Sequence, residues 1–375
     1  MTMKNIKFRK IVTLLFITAM LPTITSCSKK ESLPDLPKFS KISPLKELGT
    51  SISTGNMGDW VAIQGENLGI AQTIMFNDAS VNLKDVYYEN NALYLQIPIV
   101  MPKELTNKVK VVTSSGEVEF NFTVNIPNLK LTGMFNEYTA PGDTLKIYGD
   151  FFKLYEVDKS NTVVSFKGIE QQVIQVGDNF ITVKVPVNVE PNIKLTVINK
   201  KYNASAVCPG YYQDRQFLIT NFDDRAYTGS DGAKFVGAWT NPKPISGKYT
   251  YLTVGTEGSG WSYLMSTGAA YTAEMKDHPD KYEIKFELNM ITPIMKTKFY
   301  FYNYWNHNPA EITAADLVVQ NLSVWQTIKI PLVRLIPLNF TGNKAYIGSL
   351  NIRVESPAGE SVSIGWDNFR ISLKD

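Results

Sequence analysis

Residues 299–305 read Phe-Tyr-Phe-Tyr-Asn-Tyr-Trp. Side chains of a β-strand point to opposite faces in turn, so Phe299 and Phe301 share one face and Tyr300, Tyr302 and Tyr304 share the other. One apolar face and one solvent face is the signature of a strand in a two-layer sandwich, with Phe against the core. A row of Tyr facing water is unusual, because large exposed apolar patches mark binding surfaces. Tyr and Trp rings can lie flat on the C–H face of a pyranose while polar neighbours bond its hydroxyls. Trp305 ends this strand and opens the loop Asn306-His307-Asn308-Pro309. Asn303, Asn306 and His307 then supply donors and acceptors for vicinal hydroxyls. The same face would be silent if a loop or a neighbouring unit covered it.

Five of the six Trp (239, 261, 305, 325 and 366) follow residue 215. Trp239 sits in the turn-rich Gly237-Ala238-Trp239-Thr240-Asn241-Pro242, and Trp261 follows Gly258-Ser259-Gly260 and alternates with Tyr263. Trp239, Trp261 and Tyr263 are further candidate sugar plates, with a core position as the alternative for each Trp. Trp366 shares strand parity with Asn368 and Arg370, which places it outward with the candidate plates unless a bulge reverses it. Trp325 opens a strand whose Ile328 and Ile330 face inward, so it reads as core. Trp60, far upstream, also reads as core.

The N-terminus reads as a targeting segment: Lys4, Lys7, Arg9 and Lys10 precede an apolar run, Ile11 to Leu21, too short to span a bilayer comfortably. Ile24-Thr25-Ser26-Cys27 resembles a bacterial lipobox. That resemblance implies a signal peptide over 1–26, cleavage before Cys27, and lipid on Cys27; an ordinary secretory signal with a chance Cys is the alternative. Several acyl chains give stable anchoring. Residues 27–38, polar and Pro-containing, read as a lipidated tether. Cys208 is then the one cysteine left, so no internal disulfide forms. Removing the four basic residues takes the net charge from +3 to −1. A near-neutral chain argues against nucleic acid or polyanions as partners.

Short runs of Val, Ile, Tyr, Phe and Thr separated by Gly, Pro, Asn and Asp make this an all-β protein. A weak repeat runs through its first half. Gly58-Asp59-Trp60-Val61-Ala62-Ile63-Gln64-Gly65 is echoed by Gly142-Asp143-Thr144-Leu145-Lys146-Ile147-Tyr148-Gly149. Thr73–Asn77 matches Val163–Lys167, Leu93–Pro98 matches Ile181–Pro186, and Lys108–Thr113 matches Ile193–Ile198. A spacing of about 85 residues suits an immunoglobulin-like sandwich. The pattern resembles the IPT/TIG family, which implies two tandem Ig-like domains, 39–126 and 127–208. Their glycines read as tight turns on either side of a strand. Residues 209–375 form the third unit, whose length and strand content suit a jelly-roll sandwich. Trp325-Gln326-Thr327-Ile328-Lys329-Ile330-Pro331-Leu332 and Ile364-Gly365-Trp366-Asp367-Asn368-Phe369-Arg370-Ile371 resemble strands of carbohydrate-binding modules of that fold, and Asn221-Phe222-Asp223-Asp224 resembles their opening strand.

Lipobox, two IPT/TIG-like units and a terminal aromatic sandwich, in that order, resemble the surface glycan-binding lipoproteins of Bacteroidetes polysaccharide-utilisation systems. The resemblance implies a monomeric, lipid-anchored outer-membrane protein facing the exterior. Its Ig-like units are spacers, its terminal domain grips a neutral polysaccharide of the β-glucan type, and it works with a TonB-dependent transporter. Ser28-Lys29-Lys30-Glu31 departs from the acidic run that often follows the lipidated Cys in such proteins. No cofactor is expected; a structural calcium near Asp223, Asp224 and Asp367 is the one candidate, against turn and capping carboxylates. With two histidines and no G-x-S-x-G, HExxH or phosphate loop, binding without catalysis is expected. The rivals are an adhesin or envelope scaffold whose aromatic face meets another protein, and a glycoside hydrolase or lyase accessory.

Overall fold

The computed structural model describes residues 35–374 apart from 70, 90, 224–235 and 304–308, with backbone alone for 259–263. The expected signal, Cys27 and most of the tether lie outside these residues. The described chain forms three β-sandwiches in series. In the first, strands Lys38–Pro44, Trp60–Glu66, Ala92–Gln96 and Tyr87–Glu89 form one sheet, and Ala79–Ser80, Ala71–Phe76, Lys108–Thr113 and Gly116–Asn121 form the other. Val61, Ile63, Leu93, Leu95, Ile74, Phe76, Val109 and Val111 fill the space between.

The second sandwich repeats this plan. Thr144–Asp150 pairs with Phe180–Lys184 as Trp60–Glu66 pairs with Ala92–Gln96. Thr162–Phe166 pairs with Ile193–Asn199 as Ala71–Phe76 pairs with Lys108–Thr113. Strand Ile169–Val176 links the two layers, because it pairs with a strand of each and shifts register between Val173 and Gln175. Cys208 is buried in this core. The last strand, Ala204–Tyr212, runs past the expected boundary at 208.

The paired glycines divide by cause. Gly58 and Gly142 have φ of 85° and 84°, as the turn reading requires. Gly65 and Gly149 lie inside strands, where a Cβ would strike the carbonyl oxygens of Lys38 and Lys130. The neighbouring strand shifts register at both places, between Phe39 and Lys41 and between Leu131 and Gly133, and presses its backbone onto the glycine.

The third sandwich has a six-stranded and a four-stranded layer. The first holds Val236–Gly237, Tyr249–Val254, Val362–Leu373, Tyr282–Met290 and Gln326–Pro331 in that order, with Leu218–Thr220 also along Val362–Leu373. The second is Ser259–Gly268, Ser349–Ser356, Lys298–Tyr302 and Ala310–Ile312. Trp366 stands at the centre of the core, 0% exposed, against Phe286 and Phe299. Its expected outward place is therefore corrected. Asn368, at φ 50°, bulges the strand, and the pairing with Tyr282–Met290 slips between Lys285 and Glu287. The bulge lets Trp366 and Phe369 both point inward.

The second sandwich docks on the outer face of the six-stranded layer. Thr327 on its edge strand donates its N–H to Phe135 O (2.9 Å) and accepts from Glu137 N–H (2.8 Å). An edge that would otherwise present unpaired groups is covered in this way. Beside it lies a buried ion network: Glu137 accepts from Lys285 Nζ (2.9 Å) and Arg370 Nη2 (2.7 Å), and Arg370 Nη1 reaches Glu287 (2.9 Å). Ser372 Oγ bonds Asp214 (2.8 Å) at the crossing between the units.

Candidate glycan-binding face

Strand Lys298–Tyr302 alternates as its sequence predicts. Phe299 and Phe301 are buried in the core, while Lys298, Tyr300 and Tyr302 are half-buried on the outer side of the four-stranded layer. The second sandwich packs on the other layer, so it does not cover this face. Strand Ser349–Ser356 lies alongside with the same alternation: Leu350, Ile352 and Val354 are core, and Asn351, Arg353 and Glu355 are half-buried. Tyr300 pairs with Arg353 and Tyr302 with Asn351.

Each ring is held by a polar neighbour. Tyr300 donates its hydroxyl to Glu355 Oε2 (2.9 Å). Burial and then this carboxylate push its pKa up to about 12, so it remains a neutral phenol in ordinary buffers. The Arg353 guanidinium lies 5.3 Å from the centre of the Tyr302 ring, and burial raises that hydroxyl's pKa as well. Lys298 and Glu311 close one border with a 3.1 Å ion pair. Asn351 accepts from Ser266 Oγ (2.6 Å) and donates to Ser349 Oγ (2.9 Å). The face combines fixed rings with hydroxyl, amide and guanidinium groups, and the cations Arg353 and Lys298 are matched in number by the anions Glu355 and Glu311. That chemistry suits a neutral polyol better than an ion.

Of the other sequence candidates, Tyr304, Trp305, Asn306 and His307 lie outside the described residues, as do the side chains of Trp261 and Tyr263. Along the backbone Tyr263 pairs with Arg353, so its strand borders the Tyr face. Asn303 is corrected: it is buried, and its Nδ2 donates to Leu335 O (2.6 Å), so its amide fastens a loop. Trp239 is 38% exposed, but it follows strand Val236–Gly237 at the edge of the six-stranded layer, 6.1 Å from the Tyr251 ring, and does not join Tyr300 and Tyr302. Trp366 is core, as described above. The two Trp expected to be structural also differ. Trp60 is 42% exposed beside Tyr87, and Trp325 is half-buried on the outer side of the six-stranded layer with Nε1 donating to Lys243 O (2.7 Å). Arg353 and Glu355 were missed. Their signal was the alternation Leu350-Asn351-Ile352-Arg353-Val354-Glu355, which has the same period as the Phe/Tyr strand.

Asp223 accepts from Ser246 Oγ (3.0 Å) and Lys248 N–H (2.5 Å), and Asp367 accepts from Asn368 N–H (2.8 Å). Burial raises the Asp367 pKa well above its ordinary value. Asp224 lies outside the described residues, and among those described no three His, Cys, Asp or Glu gather to hold a cation.

Residues 211–372 match the family model of the surface glycan-binding protein B xyloglucan binding domain. The crystal structure of surface glycan-binding protein PbSGBP-B from Prevotella bryantii has the same fold, with a TM-score of 0.60 at 17% identity over 91% of this chain and 100% of that one. SGBP-B from a complex xyloglucan utilization locus in Bacteroides uniformis gives a TM-score of 0.51 at 14% identity, with the same coverage. No curated protein matches the chain. The resemblance to surface glycan-binding proteins of polysaccharide-utilisation loci stands on the family match of the terminal unit and on the shared three-sandwich fold.

Proposed function

We propose that this chain captures a neutral β-glucan of the xyloglucan class on the Tyr300/Tyr302 face and does not cleave it. One observation carries the reading: the segment matched by the xyloglucan-binding family, 211–372, is the segment that presents this face. Stacking on Tyr rings and hydrogen bonds to Arg353 and Asn351 would hold successive sugars. The two N-terminal sandwiches space this domain from an outer-membrane anchor at Cys27, facing the exterior and supplying a TonB-dependent transporter.

Affinity electrophoresis through xyloglucan, mixed-linkage β-glucan and an α-glucan tests the reading. Retardation by xyloglucan and not by the α-glucan is expected; free migration through every β-glucan would overturn it. New reducing ends on prolonged incubation would overturn the non-enzymatic part. Cys27→Ala should leave the membrane fraction, and unchanged partitioning would remove the anchor from the scheme.

A further inference from the structure

A cleft of about 720 Å³ opens where the second sandwich meets the third, against the outer side of the six-stranded layer. It lies across the terminal sandwich from the Tyr300/Tyr302 face. Its size falls within the range of small-ligand sites, and junctions between domains are favoured places for them. Phe135, Asn136 and Lys146 approach from the second sandwich, and Asn241, Asn289 and Trp325 from the third.

Asn289 singles this cleft out. It follows Lys285 and Glu287 on the outward side of strand Tyr282–Met290, and those two are consumed by the ion network. Asn289 is 2% exposed, yet its Oδ1 has no hydrogen-bond partner among the described residues. A buried acceptor left unmade is costly, so native structures nearly always satisfy it. Asn289 lines the cleft, so a donor seated there is placed to complete this acceptor. Trp325 provides a fixed apolar wall: its Nε1 is held by Lys243 O (2.7 Å), and its ring meets Tyr249 edge to face at 5.2 Å. The charges around the cleft are mixed, with Lys146 and Lys243 opposite Asp143. A fixed aromatic wall, several amides and a hydroxyl-seeking acceptor fit a sugar better than an ion or a hydrocarbon.

We propose that this cleft is a second saccharide subsite for one or two neutral pyranose units, a branch or chain end, with Asn289 Oδ1 accepting a sugar hydroxyl beside Trp325. The inference rests on the glycan-binding reading above.

Calorimetric titration with a xyloglucan-derived heptasaccharide tests it. The wild type should show two sites. Tyr300→Ala/Tyr302→Ala should remove or weaken one and leave the other. Adding Asn289→Leu, or Ala140→Trp to fill the cleft from the second sandwich, should weaken the remaining site by about tenfold or more. Asn289→Leu removes a buried acceptor that lacks a partner, so its melting temperature should stay near that of the wild type, which separates lost binding from lost fold. A single wild-type site, or residual binding unchanged by both cleft variants, overturns the second subsite and leaves the Tyr face standing. No binding by the wild type overturns both.

Discussion

Tyr302 and Trp366 are both large aromatics on neighbouring layers of one sandwich, and truncation should affect them in different ways. Tyr302 is half-buried beneath Arg353, and Tyr300 is held by Glu355. Removing such rings deletes contact with the ligand and little of the core. Tyr300→Ala and Tyr302→Ala should each cost binding up to about 2 kcal/mol, roughly thirtyfold, with melting points within a few degrees of wild type. Trp366→Ala should instead cost about 3–5 kcal/mol of stability, since its ring is packed between Phe286 and Phe299. Calorimetric affinity and thermal unfolding on the three variants check this. Intact affinity in both Tyr variants would remove them from the site.

Among the strands, the repeat is sustained by close backbone approach as much as by turns. Gly65 and Gly149 occupy equivalent places in Trp60–Glu66 and Thr144–Asp150, each beneath a carbonyl of a neighbouring strand that has shifted register. Gly65→Ala and Gly149→Ala should each destabilise by about 1–3 kcal/mol, the cost of overpacking. Gly69→Ala is the control, because a Cβ there meets nothing. Chemical denaturation of the three variants decides it; equal midpoints would mean that the strands part without cost.

Across the whole molecule, the junction of the second and third sandwiches is held by buried charge. Glu137 of the second sandwich pairs with both Lys285 and Arg370. Burial acts to raise its pKa, but Arg370 and Lys285 outweigh it and hold it below the usual range. Glu137→Ala leaves two buried cations short of a partner and should cost about 3–5 kcal/mol, read as a lower melting temperature and a looser junction in small-angle scattering. Glu287 behaves in the opposite sense: burial pushes its pKa up to about 7, and Arg370 opposes this only in part. Between the unfolded value near 4.5 and about 7, the folded protein keeps a proton that the unfolded chain has released. This contribution is therefore full at acid pH and lost as pH rises through 7. Measured against Glu287→Gln, the wild type should lose stability between pH 5 and 8. The reverse trend would show that Arg370 keeps Glu287 ionised.

Local period and local repetition were enough to make the three sandwiches, the paired strands of the first two, and the Tyr300/Tyr302 face legible, because strand alternation and turn glycines are set by neighbours in sequence. Trp366, Trp60, Trp325 and Asn303 were not legible, because each depends on what lies across space. A one-residue bulge at Asn368 reverses a strand face. Nothing within the repeat shows that Trp60, the first residue of an interior strand, turns outward beside Tyr87. The Leu335 carbonyl that holds Asn303 is more than thirty residues away along the chain. The charged junction and the cleft beside Asn289 exist only where two separately encoded sandwiches meet, and tertiary packing alone could place Glu137 between Lys285 and Arg370 while leaving Asn289 Oδ1 without a partner among the described residues.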